Sequence, residues 1–219
     1  MAHMTLVRHG QAQSGAQDEA SYDRLSDLGH QQAQWLGAHF QRTEEHFVRV
    51  YTGTMRRHIE TAESMGAAQY GEVIQDPRLN EFPYFSLEKA MQDQHREPVA
   101  QSREEFARHL PKTLDYWAEG RLEGVDESFE AFTSRVTDVI AEIAEGPGQA
   151  LVVTSGGFIS TVMQQTLALN TDGWARMCLA IFNSSTHRFQ SLLDRPILTQ
   201  FNGIPHLEGR DRQHARTHI

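Results

Sequence analysis

Thr5-Leu6-Val7-Arg8-His9-Gly10 decides how the chain is read. A short apolar, β-branched run stops abruptly at two basic side chains and a glycine. That pattern is a buried strand delivering polar groups at its carboxyl end. Gln11 to Leu25 follows as a polar stretch too rich in Gly, Ser, Gln and Asp for regular structure. Ser26 then reads as a helix N-cap, and Leu28, Ala33, Trp35-Leu36 and Phe40 form an apolar stripe at helical spacing.

The same alternation runs on along the chain. Arg49-Val50-Tyr51 is a second strand, and Thr54 leads a helix through Ile59, Ala62 and Met65. Val73-Ile74 is a third strand, ended by Asp76-Pro77. Residues 79–125 differ, being polar and carrying Pro83, Pro98 and Pro111 around two helical stretches, near 87–94 and 102–119. They read as a cap insertion in a single domain rather than a second domain. A helix over Phe129–Ala144 precedes the most apolar strand, Ala150-Leu151-Val152-Val153, and Gly156-Gly157 opens a helix to Leu167. Leu179–Phe182 and Arg188–Leu193 read as closing strands, and residues 203–219 as a solvated tail. Strand and helix alternating in this way imply an α/β fold, a three-layer αβα arrangement with a mostly parallel sheet, helices on both faces and a helical cap insertion. In such sheets ligands bind outside the carboxyl ends of the strands. Three of those ends carry polar groups: Arg8-His9-Gly10, the Thr52–Arg57 turn and Thr154-Ser155-Gly156-Gly157.

Composition narrows the function classes. Twenty basic residues against 29 acidic ones give a net charge of −9, which argues against nucleic acid or an anionic membrane surface as partner. Eighteen of the 20 are Arg, only Lys89 and Lys112 being Lys. The single cysteine, Cys178, excludes an intramolecular disulfide and any Cys-based metal cluster. There is no run of about 18 apolar residues that could span a membrane. The start, Met1-Ala2-His3-Met4, lacks the apolar stretch of a signal peptide and is compatible with an appended leader before Met4. The expectation is a cytoplasmic protein of unspecified oligomeric state.

The strand-end residues suit phosphoryl chemistry. A neutral imidazole is available near pH 7 and leaves readily from phosphorus. An adjacent arginine offers a planar fork to phosphoryl oxygens, and Gly10 lets backbone N–H groups approach an anion. Arg57, at the head of a helix, adds a second fork and the helix dipole. Arg56 competes with it for that role.

These motifs resemble those of the histidine phosphatase superfamily, the phosphoglycerate mutase-like family. Leu6–Ala12 is similar to its opening motif, Leu25–Ala33 to its Leu-Ser/Thr-x-x-Gly-x-x-Gln-Ala segment, and Arg57–Ala62 to its Arg-x-x-Gln/Glu-Thr-Ala helix. Leu79-Asn80-Glu81 is similar to its Leu-x-Glu, and Asn183–Thr186 to its Asn-x-Ser-like segment. The resemblance implies a metal-independent phosphomonoester hydrolase with no cofactor, acting on a small-molecule phosphoester. His9 becomes the phosphohistidine nucleophile, Arg8 and Arg57 hold the phosphoryl group, and Glu81 is the general acid. Gly10, Gln11, Ser155 and Gly156 line the substrate site, and no residue serves a metal.

One position departs from the family pattern. Where the resemblance implies a second catalytic histidine after the strand, this chain has Ser155, a neutral donor or simply a small residue at a crowded turn. His58 and His187 are candidate substitutes, but a sequence does not tell which way His58 points. Asp76 is the carboxylate that competes with Glu81. Gln13 and Ser14 are further candidates for the site mouth, and Phe82, Tyr84 and Phe85 for an apolar wall. A phosphoglycerate mutase is one alternative reading, although Gly10–Leu25 lacks the Asn- and Trp-rich pattern of the mutases. A phosphate-recognising module with little turnover is another, supported by Ser155.

Overall fold

The two most apolar runs lie side by side at the centre of one sheet. The computed structural model describes residues 3–13, 19–192 and 195–218; Ser14 and Leu193, both named above, fall outside them. Strands β1 (His3–Arg8) and β4 (Gln149–Thr154) pair in parallel, with Leu6 opposite Val152 and Arg8 opposite Thr154. Both are buried along nearly their whole length, as continuous apolar runs covered on two faces must be. On one side β4 pairs with β2 (Arg49–Thr52), which pairs with β3 (Val73–Gln75), all in parallel. On the other, β1 pairs antiparallel with β5 (Thr186–Leu192), and β5 antiparallel with β6 (Arg195–Gly203). The six-stranded order is β3-β2-β4-β1-β5-β6, and β5 alone runs against the rest.

The pleat sorts the core into two layers. Val7, Val50, Leu151 and Val153 face α2 (Asp27–Arg42) and α3 (Arg56–Ser64), packing on Ala33, Leu36, Phe40 and Ala62. Met4, Leu6, Ala150 and Val152 face the opposite layer, which includes α6 (Phe129–Glu145), α7 (Gly156–Leu167) and α8 (Thr171–Ala180). Residues 79–125 supply α4 (Tyr84–His95) and α5 (Arg103–Ala118), whose Leu87, Leu110 and Trp117 join that second core. A four-residue helix, α1 (Glu19–Tyr22), sits in the polar stretch after β1. Ser26 caps α2 as its sequence implies, accepting a hydrogen bond from the Gly29 N–H at 3.1 Å.

Three expectations are corrected. Leu179 and Ala180 end α8, and Ile181 is its C-cap, so Leu179–Phe182 is not a strand. Asn170 caps that helix through the Gly173 N–H at 2.9 Å, and Trp174 and Ala175 are fully buried. Phe82 is core rather than pocket wall, packed among the rings of Trp117, Phe132 and Trp174. Residues 203–218 are not a solvated tail. Two 3₁₀ turns, Pro205–Leu207 and Arg210–Ala215, bury His206, Leu207 and Ala215, and Arg212 lies over the ring of Trp35. The many charged side chains point outward while the backbone does the docking. Gln32 Nε2 donates to the Ala215 carbonyl at 2.7 Å, and the Asn183 N–H to that of Thr217 at 2.8 Å.

Candidate active site

The carboxyl ends of β1, β2 and β4, with the turn that follows β3, bring Arg8, His9, Arg57, His58, Glu81, Ser155 and Gly156 together. Arg8 closes β1, and its Nη1 donates to the carbonyls of Ile181 and, at 2.6 Å, His218. Its buried Nε has no protein partner among the described residues. Gly156 lies against this guanidinium, a Cβ there coming to within 3.4 Å of Nε. The tail thus fixes one edge of the Arg8 fork and leaves the other available.

His9 follows with its own N–H donating to the Thr154 carbonyl at 2.9 Å. Its Nδ1 is 2.7 Å from the Gly10 carbonyl. A carbonyl only accepts, so Nδ1 carries the proton and the lone pair resides on Nε2. Burial, then Arg57, Arg8 and His58, hold the His9 pKa well below 6.5, so the ring is neutral at pH 7. The Asn183–Thr186 segment supports it from below. The Ser184 N–H donates to the His9 carbonyl at 3.2 Å, with Ser184 itself in the left-handed region at φ 56°.

Arg57, 1% exposed, is the buried arginine of α3. Arg56 faces solvent and pairs with Glu60 at 2.6 Å, which removes it as the rival. Arg57 Nη1 donates to Asp23 Oδ1 at 2.9 Å, and its guanidinium stands 5.0 Å from the centre of the Tyr22 ring. The Asp23 carboxylate also accepts from the backbone N–H groups of Arg56 and Arg57. It therefore caps α3 from a distant segment.

Glu81 is seated by two backbone donors, Gly157 N–H to Oε2 at 2.9 Å and Phe82 N–H to Oε1 at 3.0 Å. Burial nevertheless pushes its pKa up, outweighing those bonds and the nearby Arg57 and Arg8. The approach requires Gly157, since a Cβ there would collide with the Glu81 carboxylate and the Phe82 ring. Asp76, the competing carboxylate, is bound to Arg78 and held below its ordinary range by that hydrogen bond.

Other candidates sort plainly. The Gly10 N–H donates to Thr61 Oγ1 at 3.0 Å and a Cβ at Gly10 would strike the Gly29 backbone. This glycine permits close packing of β1 against α2 and does not free a backbone donor for an anion. Gln11 Oε1 accepts from Ser26 Oγ at 2.8 Å and the Gln11 N–H donates to Gln32. His187 lies beneath the site beside Ser185, its pKa pushed down to about 3 by burial and Arg8. Cys178 is forced up to about 12 by burial and Glu81, an unreactive thiol.

Sequence reading missed Arg135 altogether. From α6 its Nη1 donates to the carbonyls of Arg78 at 2.7 Å and Asn80 at 2.8 Å, and its Nη2 to that of Glu81 at 3.2 Å. Glu127 holds the guanidinium from behind, at 2.6 Å to Nε. Arg135 therefore clamps the turn that carries Glu81. An arginine amid helical polar residues gives no hint of this.

Among the described residues no group of three or more His, Cys, Asp or Glu side chains is placed to hold a metal ion, and no helix is long and apolar enough to cross a membrane.

Fold and site together define an α/β protein with two arginines, an imidazole and a carboxyl group gathered at the sheet's carboxyl edge. The chain belongs to the histidine phosphatase superfamily (branch 1), whose pattern it matches over residues 4–203. Its fold is similar to that of a phosphoserine phosphatase from Entamoeba histolytica solved with phosphoserine, at TM-score 0.69 and 18% identity over 94% of this chain and 100% of that one. It is likewise similar to YhfR of Bacillus stearothermophilus, at 0.68 and 21% over 95% and 100%. A mycobacterial glucosyl-3-phosphoglycerate phosphatase aligns at 0.66 and 22% over 92% and 98%. No curated sequence is significantly similar to the chain.

Proposed function

We propose that the protein hydrolyses small-molecule phosphomonoesters through a phosphohistidine on His9. The observation that carries this reading is the cluster itself: His9 Nδ1 is tied to the Gly10 carbonyl, and Glu81, seated by two backbone N–H groups, shares its surroundings with Arg8 and Arg57. His9 is held neutral, with its lone pair on Nε2. Glu81 is pushed towards its protonated form. Such a pair separates nucleophile from acid.

In the first step His9 Nε2 attacks phosphorus, the ester P–O bond breaks, and Glu81 gives its proton to the leaving oxygen. In the second, the Glu81 carboxylate takes a proton from water as that water attacks phosphorus. The P–N bond breaks, phosphate departs, and His9 and protonated Glu81 are restored. Arg8 and Arg57 hold the phosphoryl oxygens through both steps, with Ser155 as an uncharged donor and Gly156 lying against the Arg8 fork. Positioning and charge neutralisation are most of what phosphoryl transfer asks of a protein. No step calls for a metal or cofactor, and the whole reading is a cytoplasmic, single-domain phosphatase whose 79–125 segment caps the site. The similar structures named for phosphoserine and glucosyl-3-phosphoglycerate agree with a small phosphorylated substrate.

The test is acid-labile phosphohistidine in rapid-quench experiments with p-nitrophenyl phosphate, wild type against His9→Ala. Label and turnover in the wild type, both lost in His9→Ala, support the mechanism. Ser155 favours a second reading, a recognition module without turnover. Inorganic phosphate binding that Arg8→Ala abolishes, with neither label nor product in the wild type, would establish that one instead.

A further inference from the structure

Ser155 occupies the N-cap position of α7, yet its side chain makes no capping hydrogen bond. Its Oγ instead lies 2.6 Å from His58 Nε2. Both side chains are fully buried. His58 follows Arg57 in the first turn of α3, so the helix end that presents the arginine also carries this ring inward. The ring centre is 5.7 Å from that of His9, with the planes tilted by 37°. Gly53, at the end of β2, makes room on the far side, because a Cβ there would collide with His58 Nδ1.

We propose that His58 and Ser155 form one hydrogen-bonded unit beside His9, in which Ser155 donates its hydroxyl proton to a phosphoryl oxygen and His58 aims that hydroxyl. This rests on the phosphatase reading above and deepens it.

A serine hydroxyl has a single proton and rotates freely unless something occupies its lone pairs. Accepting from His58 Nε2–H fixes the rotor and leaves the proton for the substrate. Chains of this kind also polarise one another, strengthening the terminal donor. A purely structural histidine is a poor account of the same geometry. An apolar side chain would fill the space beside Gly53 without burying two ring nitrogens, one of which, Nδ1, has no protein partner among the described residues. Burial and Arg57 both depress the His58 pKa, so the ring is neutral and has a single N–H to give. The arrangement explains how the chain accommodates serine where its resemblance implies a second imidazole. The imidazole enters from α3 and the hydroxyl from β4.

The test is a double-mutant cycle on the rate of His9 phosphorylation by p-nitrophenyl phosphate, with KM and thermal melts measured in parallel. His58→Ala and Ser155→Ala should each slow phosphorylation about a hundredfold, as loss of one oriented donor does, while KM changes little. The double variant should be no slower than the worse single one, because either change breaks the unit. His58→Gln, which can present an amide N–H near the Nε2 position, should recover about tenfold over alanine. Losses that multiply in the double variant would overturn the proposal, as would His58→Ala or Ser155→Ala at wild-type rate. Should His58→Ala not fold, the cycle closes with His58→Asn, which keeps polarity but withdraws the N–H. A wild type in which His9→Ala leaves turnover intact refutes the phosphatase reading itself. His9-dependent turnover indifferent to residues 58 and 155 refutes only this proposal.

Discussion

Acid should destabilise this protein well before its carboxylates protonate. Four histidines, His9, His58, His187 and His206, are buried, and each has its pKa depressed, for His187 and His206 to about 3. In the unfolded chain each returns to about 6.5. The native state thus binds fewer protons than the unfolded state as pH falls through 6.5, so stability present above 6.5 is lost below it. For a ring that stays neutral when folded, lowering the pH from 6.5 to 5.5 removes about 1 kcal/mol, so four remove about 4 kcal/mol. Glu81, shifted upward, works in the opposite direction and offsets a fraction of this. A loss of that size is a large part of a domain's ~5–15 kcal/mol. Urea denaturation at pH 7.5, 6.5 and 5.5 measures it. His206→Gln, which can keep a bond to Ser184 Oγ, should recover about 1 kcal/mol of the loss. A loss unaffected by His206→Gln would mean that His206 takes up its proton while folded, and equal stability at 6.5 and 5.5 would mean that all four rings do. The neutral state assigned to His9 would then be wrong.

Other consequences concern the acid and its seat. Glu81→Gln keeps one acceptor oxygen for either the Gly157 or the Phe82 N–H, turns its NH2 to the other, and has no proton to give. It should lower kcat about 10²–10⁴-fold on alkyl phosphates and far less on p-nitrophenyl phosphate, whose leaving group needs little protonation; equal losses on both would remove Glu81 as the acid. Arg135→Ala strands the Glu127 carboxylate and three carbonyls, and should lower stability by about 2–4 kcal/mol. It should also reduce kcat on alkyl phosphates, measured well below the variant's own Tm. Gly157→Ala should cost about 1–3 kcal/mol by overpacking and displace Glu81, so its kinetic defect should mirror that of Glu81→Gln across leaving groups.

How much of this could be read beforehand depends on which atoms do the work. Arg8-His9-Gly10 and Ala150–Val153 were legible because a buried parallel strand must be a continuous apolar run and must stop where chemistry begins. Ser26 was legible because a cap is a local bond. Arg57 and Glu81 could be located in sequence, but their separation from Arg56 and Asp76 depends on burial. Leu179–Phe182 misled because a four-residue apolar run has no period of its own, and the helix it ends is set from Asn170, nine residues earlier. The tail misled for another reason. Thr217 and His218 act through backbone carbonyls, which every residue has, so their charged neighbours were all that composition displayed. Arg135 was silent for the same reason, since it grips the carbonyls of 78, 80 and 81.

The geometry at His58 and Ser155 shows how the fold brings an imidazole and a hydroxyl to one point. The β4 end and the first turn of α3 converge on one point, because β4 pairs with β2 and α3 follows β2 directly. A ring entering from either element reaches the neighbourhood of His9, provided that the facing residue is small. Here the small residues are Ser155 and, behind the ring, Gly53. If the proposed unit acts as one donor, the constraint falls on the pair and not on either position. A Ser155→His substitution alone would bring two imidazoles and two guanidinium groups into one buried volume. It should be harmful unless His58 is reduced at the same time, and Ser155→His/His58→Ala should outperform Ser155→His in both Tm and kcat. The reverse order would show that residue 58 is packing and that position 155 acts alone.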